Sequence, residues 1–306
     1  MSASQATNTP SGLTPGSLII CSRNRPQLLR ETIESVLAGK EVPSEIIIID
    51  QSTQPVPTLD ALGADRGCEF HHIFTHSVGL SRARNKGIAS AKHVVLVWID
   101  DDILVEPAWY GRLVRTLTES GARTVVTGQV RPVATDVRGG YAPATKVDDV
   151  PAVFEGRVGQ DVLFPSNMAL YRSVTAEVGG FDERLGAGGA FPSAEDNDFG
   201  FRLLEAGYRI VYEPRAVVYH RAWRSRRDYV PLQWNYGRGQ GAYYAKHLSL
   251  HDSYMLQRMI KDIRRHIVRV PRRLWSQPLR ACGDAVYVAG ILAGASQWML
   301  RQNKTR

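Results

Sequence analysis

No apolar run in this 306-residue sequence reaches the ~20 residues that a membrane-spanning helix needs. The nearest approach, Ala285–Leu300, is 16 residues long. The first residues, MSASQATNTPSGLTPGS, lack a basic stretch followed by an apolar one, so no secretory leader is expected there. They read instead as a disordered lead-in over residues 1–16. Cysteine is scarce: Cys21, Cys68 and Cys282 are odd in number and far apart. That excludes a disulfide framework or a zinc knuckle and predicts a reducing, cytoplasmic setting. There is no internal repeat and no nucleic-acid recognition motif. Acidic residues are fewer than basic ones, 30 against 38, and the net charge is +8. That excess suits a solvated basic surface, an anionic substrate or an anionic membrane face.

What is present is short apolar strands alternating with helices. Ser17–Cys21 and Glu45–Ile49 read as buried strands, Phe70–Phe74 as a third, and His93–Ile99 as a fourth. Pro26–Ala38 and Leu80–Ala91 carry helical spacing between them. This alternation predicts an α/β fold built on a parallel sheet. Ligands of such sheets bind beyond the carboxyl ends of the strands. The Cys21–Arg25 loop, Asp50 and Asp100–Asp102 are therefore expected at one edge. Further on, Val125–Val130 reads as a strand and Arg138–Asp149 as a loop. Asn197–Ala206 reads as a helix closed by Gly207. Arg209–Tyr212 and Ala216–Tyr219 read as two short strands parted by Pro214.

Four groups carry chemistry. Asp100, Asp101 and Asp102 follow an apolar strand, and adjacent like charges resist ionisation unless something neutralises them. A hard divalent cation does so; a solvated acidic turn or helix cap is the competing reading. Glu195 and Asp196, with Asp198, form a second acidic cluster behind the Gly-rich stretch Gly186–Gly189. They serve either as catalytic carboxylates or as ordinary first-turn acids. Arg82, Arg84 and Lys86 suit a diphosphate or a solvated helix face. His220 ends the run AVVYH as a structural residue or as a neutral metal ligand.

Beyond residue 222 the composition shifts. Tyr229–His247 mixes aromatics with Gly237, Gly239 and Gly241. It reads as a lid whose Arg238 reaches a phosphate, or as a plain Gly-rich connection. Arg258–Arg280 is strongly basic, and Ala285–Leu300 is apolar. Such a pair suits binding at a membrane interface, or packing on the rest of the protein.

Taken in order, these pieces resemble a family 2 glycosyltransferase of the GT-A fold. The resemblance covers roughly Ser17 to His220. It rests on Cys21-Ser-Arg-Asn-Arg-Pro26, Glu45-Ile-Ile-Ile-Ile-Asp50, Gly79-Leu-Ser-Arg-Ala-Arg-Asn-Lys-Gly87 and Trp98-Ile-Asp-Asp-Asp102. It continues in Pro165-Ser-Asn-Met-Ala169, Gly179-Gly-Phe-Asp-Glu183 and Ser193-Ala-Glu-Asp196 with Arg202 and Gly207.

The resemblance implies a mixed, mainly parallel sheet flanked by helices, with a C-terminal helical extension. A catalytic domain would span residues 17–222, and a lid and helical extension residues 223–306. Asp196 would be the general base, supported by Glu195. Arg23, Asp50, Arg84, Asp100 and Arg238 would contact the donor. Asp102 and His220 would hold Mn2+ or Mg2+. The partners would be a nucleoside-diphosphate sugar, a glycan or lipid-linked acceptor and an anionic inner membrane face, with no nucleic acid. Two departures qualify the match. Gln51 follows Asp50 where the family often has a small or acidic residue. The Q-x-x-R-W signature of polymerising members is absent, which favours transfer of one sugar. A nucleotidyltransferase and a non-catalytic nucleotide-sugar or glycan-binding module are the alternatives.

Overall fold

The structure, a computed structural model, describes residues 12–56, 66–133, 140–221 and 223–302. Most of the expected lead-in and the start of the 138–149 loop lie outside them. Three parallel strands form the first half of the sheet: β1 (Gly16–Ser22), β2 (Glu45–Asp50) and β3 (Glu69–Phe74). β4 (Val95–Asp100) joins β1 in parallel on its other side. Helices α1 (Pro26–Leu37) and α2 (Leu80–Ser90) make the crossovers.

The second half is mixed. β5 (Ile103–Val105), β6 (Thr124–Pro132), β7 (Ala152–Phe154), β8 (Asn167–Tyr171) and β9 (Arg209–His220) complete it. The strand order is β3-β2-β1-β4-β8-β6-β9-β5, with β7 also on β9. α3 (Trp109–Ser120), α4 (Arg172–Val178) and α5 (Glu195–Glu205) complete the α/β layers. The expected α/β sheet flanked by helices is present, with a helical C-terminus.

Alternate residues of the apolar strands feed two cores. Leu18, Ile20, Ile46, Ile48, Val95 and Val97 pack toward α1 and α3, against Ile33, Trp109 and Leu113. Ile19, Ile47, Ile49, Leu96 and Trp98 pack on the opposite face with Ala83, Phe199 and Leu203. Because both faces are covered, the strands are continuous apolar runs instead of alternating ones.

Two expected strands prove to be one. β9 runs unbroken through Pro214, because the three residues after Glu213 bulge out of the ladder. Gly128 pairs with Glu213, and the next residue, Gln129, pairs with Val217. Asn167 clamps the bulge by donating to the carbonyls of Gln129 and Ala216.

The Gly-rich segment is not a lid loop. It forms α6 (Tyr229–His247), followed by α7 (Tyr254–Arg273) and α8 (Pro278–Gln302). Its glycines keep helical angles and serve close packing. A Cβ on Gly237 would lie 2.2 Å from the Tyr287 carbonyl, and one on Gly241 2.0 Å from that of Ile291. Reciprocally, a Cβ on Gly294 would lie 2.0 Å from the Arg238 carbonyl. The apolar segment 285–300 thus packs α8 onto α6, and its burial there comes from backbone approach. No helix among the described residues is long and apolar enough to cross a membrane.

Candidate active site

The parallel register decides which residues meet. Cys21 at the end of β1 pairs with Asp100 at the end of β4, and Ser22 pairs with Asp50. His220, the last residue of β9, pairs with Ile103, just past the three aspartates. A cleft of about 440 Å3 opens over this edge and is lined by Arg23, Arg25, Asp100, Asp102, His220 and Arg224. A second hollow of about 390 Å3 holds Glu195, Asp196 and Gln240. The two share Leu80, Asp100, Ala144, Ala187, His220 and Tyr236, so they are halves of one cleft.

Asp100, Asp102 and His220 each bring a ligand atom within 4.8 Å of the others. His220 Nε2 lies 3.0 Å from Asp102 Oδ1. Yet His220 Nδ1 is buried without a hydrogen-bond partner, and Asp102 Oδ1 has only this imidazole beside it. Buried polar atoms are rarely left so, and hard oxygens beside one imidazole make a donor set that fits a divalent cation. Burial opposes ionisation of Asp102, but His220 and Arg25 outweigh it and hold its carboxyl below the usual range. Burial also disfavours the charged form of His220, while the Asp102 and Asp100 carboxylates pull its value up.

Asp101 also borders this half of the cleft but is tied to the β1 loop. It accepts from Ser22 Oγ at 2.7 Å and from Arg25 Nη1 at 3.1 Å, and burial pushes it up to about 6. The three consecutive acids are therefore tolerated by dividing the work. Asp100 and Asp102 face the cleft, and Asp101 braces the β1 loop. Burial also pushes the Cys21 thiol up to about 12, so it lines the cleft as a neutral group.

Glu195 and Asp196 open α5, where a helix N-terminus favours acids. Ala194 before them is held at φ +68, a left-handed angle that is uncommon for a residue with a Cβ. Asp196 is pushed up to about 7 by burial and then by the charge of Glu195. Asp198 points away from the cleft. It is fully buried and ion-paired with Arg202, Lys246 and His247, which ties α5 to α6.

Three sequence expectations need correction. Asp50 does not face the cleft: it is wholly buried, its oxygens accepting the Ser52 N–H at 2.9 Å and the Val56 N–H at 2.7 Å. His72 Nε2 lies 3.1 Å from the same carboxylate. The turn after β2 needs those acceptors, and Gln51 reaches the cleft wall instead. Arg84 is buried and spends its guanidinium on Glu195 at 3.1 Å and Asp100 at 3.5 Å, stacking on Phe181. It joins the two acidic clusters and lines the 390 Å3 half of the cleft, not the 440 Å3 half. Arg238 bonds Ala190 O and Gln297 Oε1 of α8, so it is turned from the cleft.

Arg25, Arg224 and Tyr236 line the cleft without having been singled out by sequence. Arg25 sits in the first-strand loop, and its pairing with Asp102 at 3.2 Å needs the fold to be seen. Tyr236 was hidden in the presumed lid. Arg224 follows His220 closely, but nothing in its own neighbours marks it.

Residues 17–177, more than half of the chain, match the family described as Glycosyl transferase family 2. The chain belongs to that family. It is 28% identical over 230 residues to a pre-mycofactocin glycosyltransferase of Mycobacterium tuberculosis, covering 72% of this chain and 45% of that protein. It is equally 28% identical to a glucosyl-dolichyl phosphate glucuronosyltransferase of Haloferax volcanii, covering 70% of this chain and 71% of that one. The chain thus spans under half the length of the mycobacterial relative. A mannosyltransferase of Pyrobaculum calidifontis, solved with GDP-Man and Mn2+, superposes with a TM-score of 0.60 at 14% identity. That match covers 96% of this chain and 90% of the other. GalNAc-T7, solved with UDP, GalNAc and Mn2+, gives 0.54 at 19% identity, covering 76% and 50%. These structures share the fold.

Proposed function

We propose that the chain is an inverting glycosyltransferase that moves one sugar from a nucleoside-diphosphate donor to an acceptor hydroxyl, with a divalent cation. The observation that carries this reading is the shared cleft. Asp100 and His220 line both halves, so a cation-binding trio and the raised carboxylate Asp196 face the same space.

Asp100, Asp102 and His220 would hold Mn2+ or Mg2+, and the imidazole weights the set toward Mn2+. When bound, the cation offsets charge on the departing diphosphate. Arg23 and Arg224, which make no ion pair with a described residue, offer the donor phosphates further charge. Asp196 accepts the proton of the acceptor hydroxyl as that oxygen attacks the sugar from the far side. Its value of about 7 matches a base working near neutral pH. Glu195, fixed by Arg84, keeps Asp196 raised.

The names of the relatives include lipid-linked substrates, which supports a lipid-linked acceptor. α7 supports a membrane face: Leu256, Ile260, Ile267 and Leu274 are exposed along one side of it. Exposed Arg264 borders that stripe. The test is to incubate the protein with a panel of nucleoside-diphosphate sugars and Mn2+, and to follow nucleoside diphosphate release with candidate acceptors. Asp196→Asn should lower transfer by about 10²–10⁴-fold. Normal turnover by that variant would overturn the assignment.

A further inference from the structure

A further cavity lies outside the cleft. It measures about 740 Å3 and is walled by Tyr141, Arg226, Tyr229, Arg273, Leu279 and Arg280 among others. Three arginines line it and no carboxylate does. Arg273 is engaged by Asp284 at 2.8 Å, but Arg280 pairs with no carboxylate among the described residues. The Tyr141 hydroxyl is buried and has no hydrogen-bond partner. Tyr229 meets the Tyr141 ring edge-on at 5.3 Å, fixing both. A pocket in which Arg280 has no carboxylate partner and a buried hydroxyl is unused is built to receive an anion.

Its surroundings say which kind. Leu274 and Trp275, in the same turn between α7 and α8, are 51% and 92% exposed. An indole standing in solvent beside arginines suits a lipid boundary. On the inner side, Tyr141 exchanges both backbone hydrogen bonds with Arg224, at 3.1 and 3.0 Å. Arg224 itself lines the donor half of the cleft. One pair of residues thus separates the cationic cavity from the candidate active site.

We infer that this cavity seats the phosphate or diphosphate of a lipid-linked acceptor, an inference that rests on the transferase reading above. Arg280, Arg273 and Arg226 take the phosphate oxygens, Tyr141 donates its hydroxyl, and the lipid chain leaves past Leu279 and Trp275. The group beyond the phosphate is then directed past Arg224 toward Asp196.

The full chain is titrated calorimetrically with farnesyl monophosphate, with farnesol and with inorganic phosphate. Binding of farnesyl monophosphate should exceed that of either other probe. Arg280→Glu should weaken it at least about tenfold, the size of one lost charge-assisted hydrogen bond. Tyr141→Phe should weaken it by a smaller factor. Melting temperatures and Mn2+-nucleotide binding should be unchanged in both variants. Equal affinity for farnesol, or an unaffected Arg280→Glu, would overturn the site. A parallel arm uses phosphatidylcholine vesicles containing phosphatidylglycerol. If Arg280→Glu weakens vesicle binding but not farnesyl phosphate binding, the arginines meet bilayer headgroups and the acceptor assignment is wrong. Loss of Mn2+-nucleotide binding by the parent chain would instead count against the transferase reading and leave the farnesyl phosphate result to stand alone.

Discussion

Arg84 Nη1 lies 3.1 Å from Glu195 Oε1, joining the helix that follows β3 to the acidic start of α5. The same guanidinium reaches Asp100, so one buried cation links the two acidic clusters. It also lowers Asp196, opposing the burial and the Glu195 charge that raise it.

Replacing Arg84 by Met should therefore move the pH dependence of transfer. In the parent, the rate should rise as Asp196 loses its proton near pH 7. In Arg84→Met that rise should shift to higher pH. Stability should fall by about 3 kcal/mol, because two carboxylates lose a buried partner. Profiles of kcat/KM against pH at saturating Mn2+ check this, and an unmoved profile would separate Arg84 from the base.

Asp196 should also govern stability against pH. Its folded value, about 7, lies above the ordinary 3.8. Between the two the folded chain binds more protons than the unfolded one. Its contribution is complete below the unfolded value and is lost as pH rises through 7. Asp196→Asn should therefore melt progressively higher than the parent as pH goes from 5 to 8. Melting curves across that range would show a constant difference if Asp196 were ordinary.

Asp50→Asn tests where the nucleotide aspartate points. Asn cannot satisfy every N–H that Asp50 accepts, so the loop after β2 should lose about 1–3 kcal/mol. Nucleotide affinity should change less than threefold. A large loss of affinity with normal stability would put Asp50 on the donor base after all.

Gly241→Leu should separate α6 from α8. Its Cβ would meet the Ile291 carbonyl at 2.0 Å, and backbone cannot move aside as a side chain does. Thermal melting should drop by several degrees, with the N-terminal sheet still folded by circular dichroism. An unchanged melt would mean that the helices do not touch there.

Much of this was legible in the sequence because burial writes a simple pattern. Strands covered on both faces, such as Ile46–Ile49 and Val95–Ile99, are apolar throughout and run into acids at the same edge. What stayed hidden depends on direction, which spacing does not encode. Asp50 ends a strand as Asp100 does, but the turn behind it supplies N–H groups that claim its carboxylate. Arg84 looks like a phosphate ligand until its buried neighbours prove to be Glu195 and Asp100. Glycine permits both hinges and close helix contacts, and only the facing backbone of α8 tells them apart at Gly237 and Gly241. Pro214 reads as a break, whereas a bulge lets the strand continue past it.

The most direct test is the nucleotide titration with metal. UDP and GDP are titrated into the parent, Asp102→Ala and Asp196→Asn, each with Mn2+ and with EDTA. The account predicts saturable binding of one nucleotide to the parent and to Asp196→Asn only with Mn2+, and none to Asp102→Ala. Binding that ignores Mn2+, or that survives Asp102→Ala unchanged, would contradict it.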